Sequence, residues 1–128
     1  MINKAIVEGR LTKDIDLRKT QDGRSVCTFS LASDSGLKDH SGNKITDFVS
    51  VTAWGQNADF LDKYCEKGAL LSVEGRIIQR VREIETRKVY TNEVNAERVN
   101  ILAHKQNTGG VKFDTGTEMI ATEDDLPW

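Results

Sequence analysis

Two aromatic side chains on one predicted strand are the residues of this chain best suited to bind a ligand. Apolar and polar residues alternate along residues 47–55, which predicts a strand with one core-facing side. Its core-facing row is Val49, Val51 and Ala53. The opposite, polar row is Phe48, Ser50, Thr52 and Trp54. At a rise of about 3.3 Å per residue Phe48 and Trp54 lie roughly 20 Å apart, and such a pair is typical of a surface that stacks unpaired bases.

A row of arginines follows on a second predicted strand, residues 69–81. Its core-facing row is Leu71, Val73, Gly75 and Ile77. Its outward row is Ser72, Glu74, Arg76, Ile78, Arg80 and, just beyond, Arg82. Arginines next to exposed aromatics are suited to contact phosphates, although such a row is also the ordinary composition of a solvated face. A shift in register by one residue would likewise turn Phe48 and Trp54 into core residues.

A short helix is predicted between these two strands. Asn57 is a suitable N-cap, and Gly68 is a suitable C-terminal stop. The apolar stripe between them is Ala58, Phe60, Leu61, Tyr64 and Cys65. We expect this stripe, including Tyr64 and Cys65, to pack against the core.

The remaining strands complete a small barrel. Alternating patterns predict them at residues 2–11, 26–32 and 87–94, and residues 96–102 close the domain. Residues 34–46 are polar and predict a mobile loop that carries Lys38. The order of five principal strands, with a helix between the third and fourth, is that of an OB-fold, a Greek-key barrel. We therefore predict an all-β fold with one short helix, in which residues 1–104 form an OB-fold domain.

The composition changes after His104. Residues 1–104 carry 16 basic and 15 acidic residues, whereas residues 105–128 carry two lysines and five acids. Residues 105–122 have the composition of a disordered, flexible linker. Residues 123–128 form an acidic tip that ends in apolar and aromatic side chains, which is typical of a docking peptide and unnecessary for a merely solubilising tail. The candidate partner-binding residues are Asp124, Asp125, Leu126, Pro127 and Trp128.

Several function classes are disfavoured by composition. Cys27 and Cys65 are too few and too far apart for a metal site, so we expect buried, reduced thiols. His40 and His104 lack the spacing of metal ligands. No apolar run is long enough to span a membrane, and the N-terminus lacks a signal-peptide pattern. We therefore expect a cytoplasmic protein without a metal ion or other cofactor.

Three segments resemble one known family. They are residues 1–18 with Gly9-Arg10-Leu11, residues 47–76 with Asp47-Phe48 and Trp54-Gly55, and the last five residues. Together they are similar to bacterial and phage single-stranded DNA-binding proteins of the oligomeric OB-fold family, and the resemblance extends over the whole chain. Family members often carry aromatics near the positions of Gly36 and Arg82, and usually end in Phe where this chain has Trp128.

The resemblance implies sequence-independent binding of single-stranded DNA by a homo-oligomer, expected to be a homotetramer, in the cytoplasm of a bacterium. The acidic tip is then expected to recruit replication, recombination and repair proteins. Bases are expected to stack on Phe48, Trp54 and Tyr90, at ~1–3 kcal/mol per base. The residues expected to contact phosphates are Lys4, Arg10, Arg18, Lys38, Arg76, Arg80, Arg82 and Lys88.

Two other function classes remain open. A nuclease built on the same barrel would need clustered carboxylates, and Asp14, Asp16 and Asp22 form no convincing group, so we do not expect an enzyme. The other class is an OB-fold assembly factor that binds RNA or protein. Competition between poly-dT, RNA and duplex DNA would separate these functions.

Overall fold

The computed structural model describes residues 1–104, and the predicted linker (105–122) and acidic tip (123–128) lie outside the described residues. The elements in chain order are β1 (Ala5–Leu11), β2 (Arg18–Lys19), β3 (Ser25–Lys38), β4 (Lys44–Trp54), α1 (Gly55–Tyr64), β5 (Leu70–Ile84) and β6 (Arg87–Ala103). Since β2 has only two residues, the described chain has five principal strands, with the helix between the third and the fourth as predicted.

The strands close into a barrel. Their order in the sheet is β1-β5-β6-β4-β3-β2, and a further pairing between β1 and β3 joins the two sides of that sheet. The β4–β6 pair is parallel, whereas β1–β5, β5–β6, β3–β4 and β1–β3 are antiparallel. A closed five-stranded barrel with one short helix is an OB-like fold, so the predicted fold class is confirmed.

The barrel interior is filled by the predicted alternate residues. Among these, Leu31, Val51, Leu71 and Val73 have no accessible surface. The helix α1 adds Ala58 and Leu61 to the same core. Truncation of a fully buried leucine such as Leu71 to alanine typically costs about 2–5 kcal/mol of stability. The packing of this interior therefore holds the strands in position.

Two glycines allow strands to approach closely inside the barrel. A Cβ on Gly75 would lie 2.0 Å from the carbonyl oxygen of Asn95, and one on Gly9 would lie 2.7 Å from that of Ala32. Gly75 also follows a register shift between β5 and β6. Only glycine fits such contacts without moving the neighbouring backbone.

The two strand hairpins are longer than predicted. Residues 34–46 are not an irregular loop, because β3 continues to Lys38, β4 starts at Lys44, and these two lysines pair in register. Asp39 forms the turn by accepting hydrogen bonds from the backbone N–H groups of Ser41 and Asn43. Residues 87–102 are likewise parts of one strand, β6. These ladders depend on pairing across the sheet, which local composition does not reveal.

Burial differs from what the predicted strand faces suggest at two positions. Thr52 lies in the outward row of β4 as predicted, but it is fully buried because other polar side chains cover it. Ile77 continues the inward row of β5, yet 46% of its surface is exposed. Beyond Gly75, strands β5 and β6 continue as a hairpin that has no core packed against its inward row. The side chains of that row are therefore exposed, and Val81 is 52% exposed.

The helix prediction was correct in place but wrong in its boundaries and its apolar face. The N-cap is Trp54 and the C-cap is Cys65, so Asn57 lies inside the helix and Gly68 beyond it. Tyr64 is 51% exposed and packs against Phe60 at the surface, with 5.2 Å between ring centroids. A ten-residue helix on a small barrel buries only its narrow inner side.

Candidate nucleic-acid interface

One outward surface of the barrel carries both predicted stacking residues of β4. Residues that pair directly in a sheet have their side chains on the same face. In the β3–β4 ladder Val26 pairs with Trp54, and Ala32 pairs with Phe48. We define the outer face as the outward row of these two strands: Val26, Thr28, Ser30, Ala32, Phe48, Ser50, Thr52 and Trp54.

The two aromatics of the outer face are accessible, and small side chains lie between them. Phe48 is 42% exposed, and Trp54 is half-buried. Ser50, between them on β4, is exposed and pairs with Ser30 of β3. The surface between the rings is therefore formed by small polar side chains. It leaves room for flat groups to stack against either ring.

An arginine lies in register with each aromatic on the β1 and β2 side. Arg18 of β2 pairs with Val26, which pairs with Trp54. Arg10 of β1 pairs with Ala32, which pairs with Phe48. Two strand spacings put the α-carbons of each arginine and its aromatic about 10 Å apart.

Both of these arginines already have partners within the chain. Arg18 donates two hydrogen bonds to the Asp16 carboxylate, of 2.9 and 3.1 Å. Arg10 donates from Nη1 to the carbonyl oxygen of Gly68 at 2.8 Å. Arg18 is exposed and Arg10 is half-buried, so Arg18 is the more accessible of the two.

The arginines of β5 adjoin the outer face on its other side. Thr52 pairs with Asn95 of β6, and Asn95 pairs with Arg76 of β5. Thr52 donates from its hydroxyl to Glu93 Oε2 at 2.6 Å, and Arg80 donates from Nε to the same oxygen at 2.5 Å. The predicted arginine row of β5 is thus connected to the aromatic strand through β6.

Arg76 and Arg82 are the exposed members of that row. Neither forms an ion pair with another residue of the described chain, 1–104. Arg80, between them, has a side chain that is 38% exposed and is paired with Glu93. The outer face is therefore flanked by arginines on both sides of β4.

Four predicted site residues lie away from this cluster or at its margin. Tyr90 pairs with Val81, and Lys88 pairs with Glu83, so both point to the side of the β5–β6 hairpin opposite Arg80 and Arg82. Lys4 lies 3.9 Å from Glu74 and 3.8 Å from Glu97. Lys38 is exposed at the end of β3, and its pairing with Lys44 extends the outer face beyond Phe48.

Arg24 adjoins the outer face but was not among the predicted residues. Its guanidinium carbon lies 4.5 Å from the centroid of the Trp54 ring. Arg24 lies 3.7 Å from Asp22, whose pKa is lowered chiefly by a hydrogen bond from the Thr20 hydroxyl. The sequence does contain a signal for Arg24. Thr28 and Val26 are alternate residues of the outward row, and one more step of two residues leads to Arg24.

Glu93 is the second residue that was missed. It is only 7% exposed, although it is a carboxylate. The sequence contains no signal for this burial, because the covering groups belong to β4 and β5, and Thr52 is 41 residues away. Buried carboxylates are rare unless they are paired, and Glu93 accepts from both Thr52 and Arg80.

The environment of both cysteines disfavours their thiolate form. Burial raises the pKa of Cys27 to about 11, with nearby Asp62 adding to the shift, and burial raises the pKa of Cys65 to about 11. Both cysteines are free. Within residues 1–104, no three acidic, histidine or cysteine side chains are grouped closely enough to hold a metal ion.

The described residues also contain no helix that is both long and apolar enough to cross a membrane.

Comparison with known proteins identifies related sequences. Residues 2–102 match the family described as the single-strand binding protein family. The chain is 35% identical over 138 residues to single-stranded DNA-binding protein 3 of Streptococcus agalactiae serotype V, covering 100% of both proteins. It is 40% identical over 111 residues to the single-stranded DNA-binding protein of Bacillus cereus, covering 86% of this chain and 65% of that protein.

A third relative is the single-stranded DNA-binding protein of Enterococcus faecalis, with 38% identity over 120 residues, covering 89% of this chain and 64% of that protein. The family is one of non-enzymatic DNA-binding proteins, and this chain is not an enzyme. The chain belongs to the single-strand binding protein family.

Proposed function

We propose that this protein binds single-stranded DNA without sequence preference and thereby coats and protects it. The observation that supports this most directly is the position of Phe48 and Trp54 on one outer face, with arginines on both flanks. The names of the relatives point to the same ligand. The bases would lie along β4, and the phosphates would follow the arginine rows.

Stacking supplies much of the affinity in this mechanism. Each base stacked on Phe48 or Trp54 contributes ~1–3 kcal/mol, whatever its identity, because every base has a flat aromatic face. Duplex DNA is disfavoured because its bases already stack on one another. Sequence independence and strand selectivity therefore follow from the same two side chains.

Contacts between basic side chains and phosphates supply the remainder of the affinity. Arg18 and Arg10 lie on one flank, and Arg76 and Arg82 on the other, so a strand that runs between them meets cations on both sides. Each phosphate that is neutralised releases counterions, so the affinity falls as salt rises. Because residues 1–104 are almost neutral overall, we expect this salt dependence to be shallow for a nucleic-acid-binding protein.

A longer path of DNA would contact the four candidate residues away from the cluster or at its margin: Lys4, Lys38, Lys88 and Tyr90. Tyr90 and Lys88 lie on the other side of the β5–β6 hairpin, so a strand reaches them only by passing around that arm or by crossing to another subunit. A homotetramer would offer such a path. The exposure of Ile2 (96%) and Ile6 (70%) near and on β1 supports self-association, because exposed apolar side chains favour burial against a partner.

The acidic tip is proposed to act separately from the barrel. Leu126, Pro127 and Trp128 would enter an apolar pocket of a replication, recombination or repair protein, while Asp124 and Asp125 would meet a basic rim around it. Such a protein would act in the bacterial cytoplasm, where replication exposes single strands.

A competition experiment tests this function against its alternatives. Fluorescently labelled oligo-dT is bound to the full chain and then displaced by unlabelled poly-dT, RNA of equal length or duplex DNA. We expect poly-dT to compete far better than duplex and better than RNA. Equal competition by duplex would contradict the stacking mechanism, and preferential competition by RNA would favour an RNA-binding assembly factor instead.

A further inference from the structure

A continuous polar chain crosses the barrel surface beside the proposed stacking site. The hydroxyls of Thr28 and Thr52 lie 3.2 Å apart, Thr52 donates to Glu93 Oε2 at 2.6 Å, and Arg80 donates to that oxygen at 2.5 Å. These four residues belong to β3, β4, β6 and β5 respectively. The chain thus joins the aromatic strand to the arginine row.

Glu93 is the buried member of this chain, and it differs from the other acids near the outer face. Its side chain is 6% exposed, whereas the carboxylate of Asp16, which pairs with Arg18, is 68% exposed. An ionised carboxylate with so little solvent requires a nearby cation, and Arg80 supplies it. The charge of Arg80 is therefore largely neutralised before any DNA arrives.

We infer that Glu93 is a positioning residue that neutralises Arg80 and holds its guanidinium against the outer face. This inference rests on the proposed binding of single-stranded DNA. It divides the arginine row into two kinds of contact. Arg76 and Arg82 bind phosphates as unpaired cations and release counterions, whereas Arg80 offers a fixed planar group with remaining N–H donors and almost no net charge.

The neutralised pair predicts a specific salt dependence. Glu93→Gln keeps the shape of the side chain and an oxygen acceptor for Arg80, but it removes the negative charge. Arg80 then becomes a free cation, and one added phosphate contact steepens the slope of log affinity against log salt by about 0.7 for single strands. When salt is lowered from about 200 to about 50 mM, the poly-dT affinity of Glu93→Gln should rise by a factor about three times larger than the rise for the unaltered protein.

The experiment measures poly-dT affinity over a series of salt concentrations for the full chain and three variants. Glu93→Gln should show the steeper slope, and the double variant Glu93→Gln with Arg80→Gln should return to the original slope. Glu66→Gln, an exposed acid in the turn after α1, is the matched control for net charge, and its slope should stay unchanged.

The contradicting results are distinct. An unchanged slope for Glu93→Gln with normal poly-dT binding would overturn this inference alone, and so would an equally steep slope for the control Glu66→Gln. Failure of the unaltered chain to bind poly-dT would overturn the proposed function and this inference with it. Glu93→Ser, a smaller neutral residue, provides a second measurement of the same loss of charge, and thermal unfolding checks that each variant is folded.

Discussion

The guanidinium carbon of Arg24 lies 4.5 Å from the centroid of the Trp54 ring. Arg24 also contacts Asp22, and 63% of its side chain is exposed, so its cation is accessible beside the ring. A base that stacks on Trp54 would bring its own phosphate close to this cation. The contact therefore combines a stacking platform with a charge at one position of the outer face.

Removal of this cation should weaken binding slightly. We expect Arg24→Gln to reduce the affinity for poly-dT by ~0.5–1 kcal/mol and to make the salt slope shallower by about 0.7. Titration at several salt concentrations measures both changes. Tighter binding by Arg24→Gln would show instead that Arg24 blocks the Trp54 ring.

The aromatics should carry a larger share of the affinity. Phe48→Ala and Trp54→Ala should each weaken poly-dT binding by ~1–3 kcal/mol while the domain remains folded. Phe60→Ala is the matched control, because Phe60 is an exposed aromatic at 37% but lies on α1. Loss of binding in the Phe60 variant equal to that in the β4 variants would contradict the assignment of the outer face.

Tyr90 should matter only for long DNA. Because Tyr90 faces the other side of the β5–β6 hairpin, a short oligo-dT on the outer face does not reach it. Tyr90→Ala should therefore weaken binding of poly-dT and leave the affinity for a short oligonucleotide unchanged. An equal loss for both lengths would mean that DNA follows a different path across the hairpin.

The backbone contact at Gly75 should be essential for the barrel. Gly75→Ala would put a Cβ 2.0 Å from the carbonyl oxygen of Asn95, so β5 and β6 would have to separate. We expect a loss of about 3 kcal/mol or more in the free energy of unfolding, at the upper end of typical overpacking costs. Urea denaturation measures this loss, with Ser72→Ala on the same strand as the control, which should retain most of the stability.

The acidic tip should affect partners more than DNA. Deletion of residues 124–128 should leave poly-dT affinity unchanged or slightly higher at low salt, because the tethered acids no longer compete for the arginines. The same deletion should abolish capture of replication and repair proteins. The Trp128→Ala variant should no longer bind the partner proteins. Its acids should still compete with DNA for the arginines, because they remain in place. Much weaker DNA binding after the deletion would place the tip inside the DNA site.

Much of the fold and part of the site were predictable from the sequence. The core-facing rows of β3 and β4 follow from a period of two, and the same period puts Phe48 and Trp54 on the outward side. The order of strands and helix was enough to predict the OB-like barrel. These features depend on local alternation, which a sequence displays directly.

The features that were missed depend on pairing between distant segments. Thr52 is buried because β6 pairs beside β4, so that Glu93 can reach it. The face occupied by Tyr90 depends on the register between β5 and β6, which places it beside Val81. Neither strand order nor register is visible in the alternation of a single strand.

Tryptophan fluorescence tests the central claim most directly, because the chain has only two tryptophans, Trp54 and Trp128. In a Trp128→Phe variant, all tryptophan emission comes from Trp54. We predict strong, saturable quenching when poly-dT is added and little change with duplex DNA of equal length. Saturated poly-dT binding with unchanged Trp54 emission would contradict base stacking on the outer face.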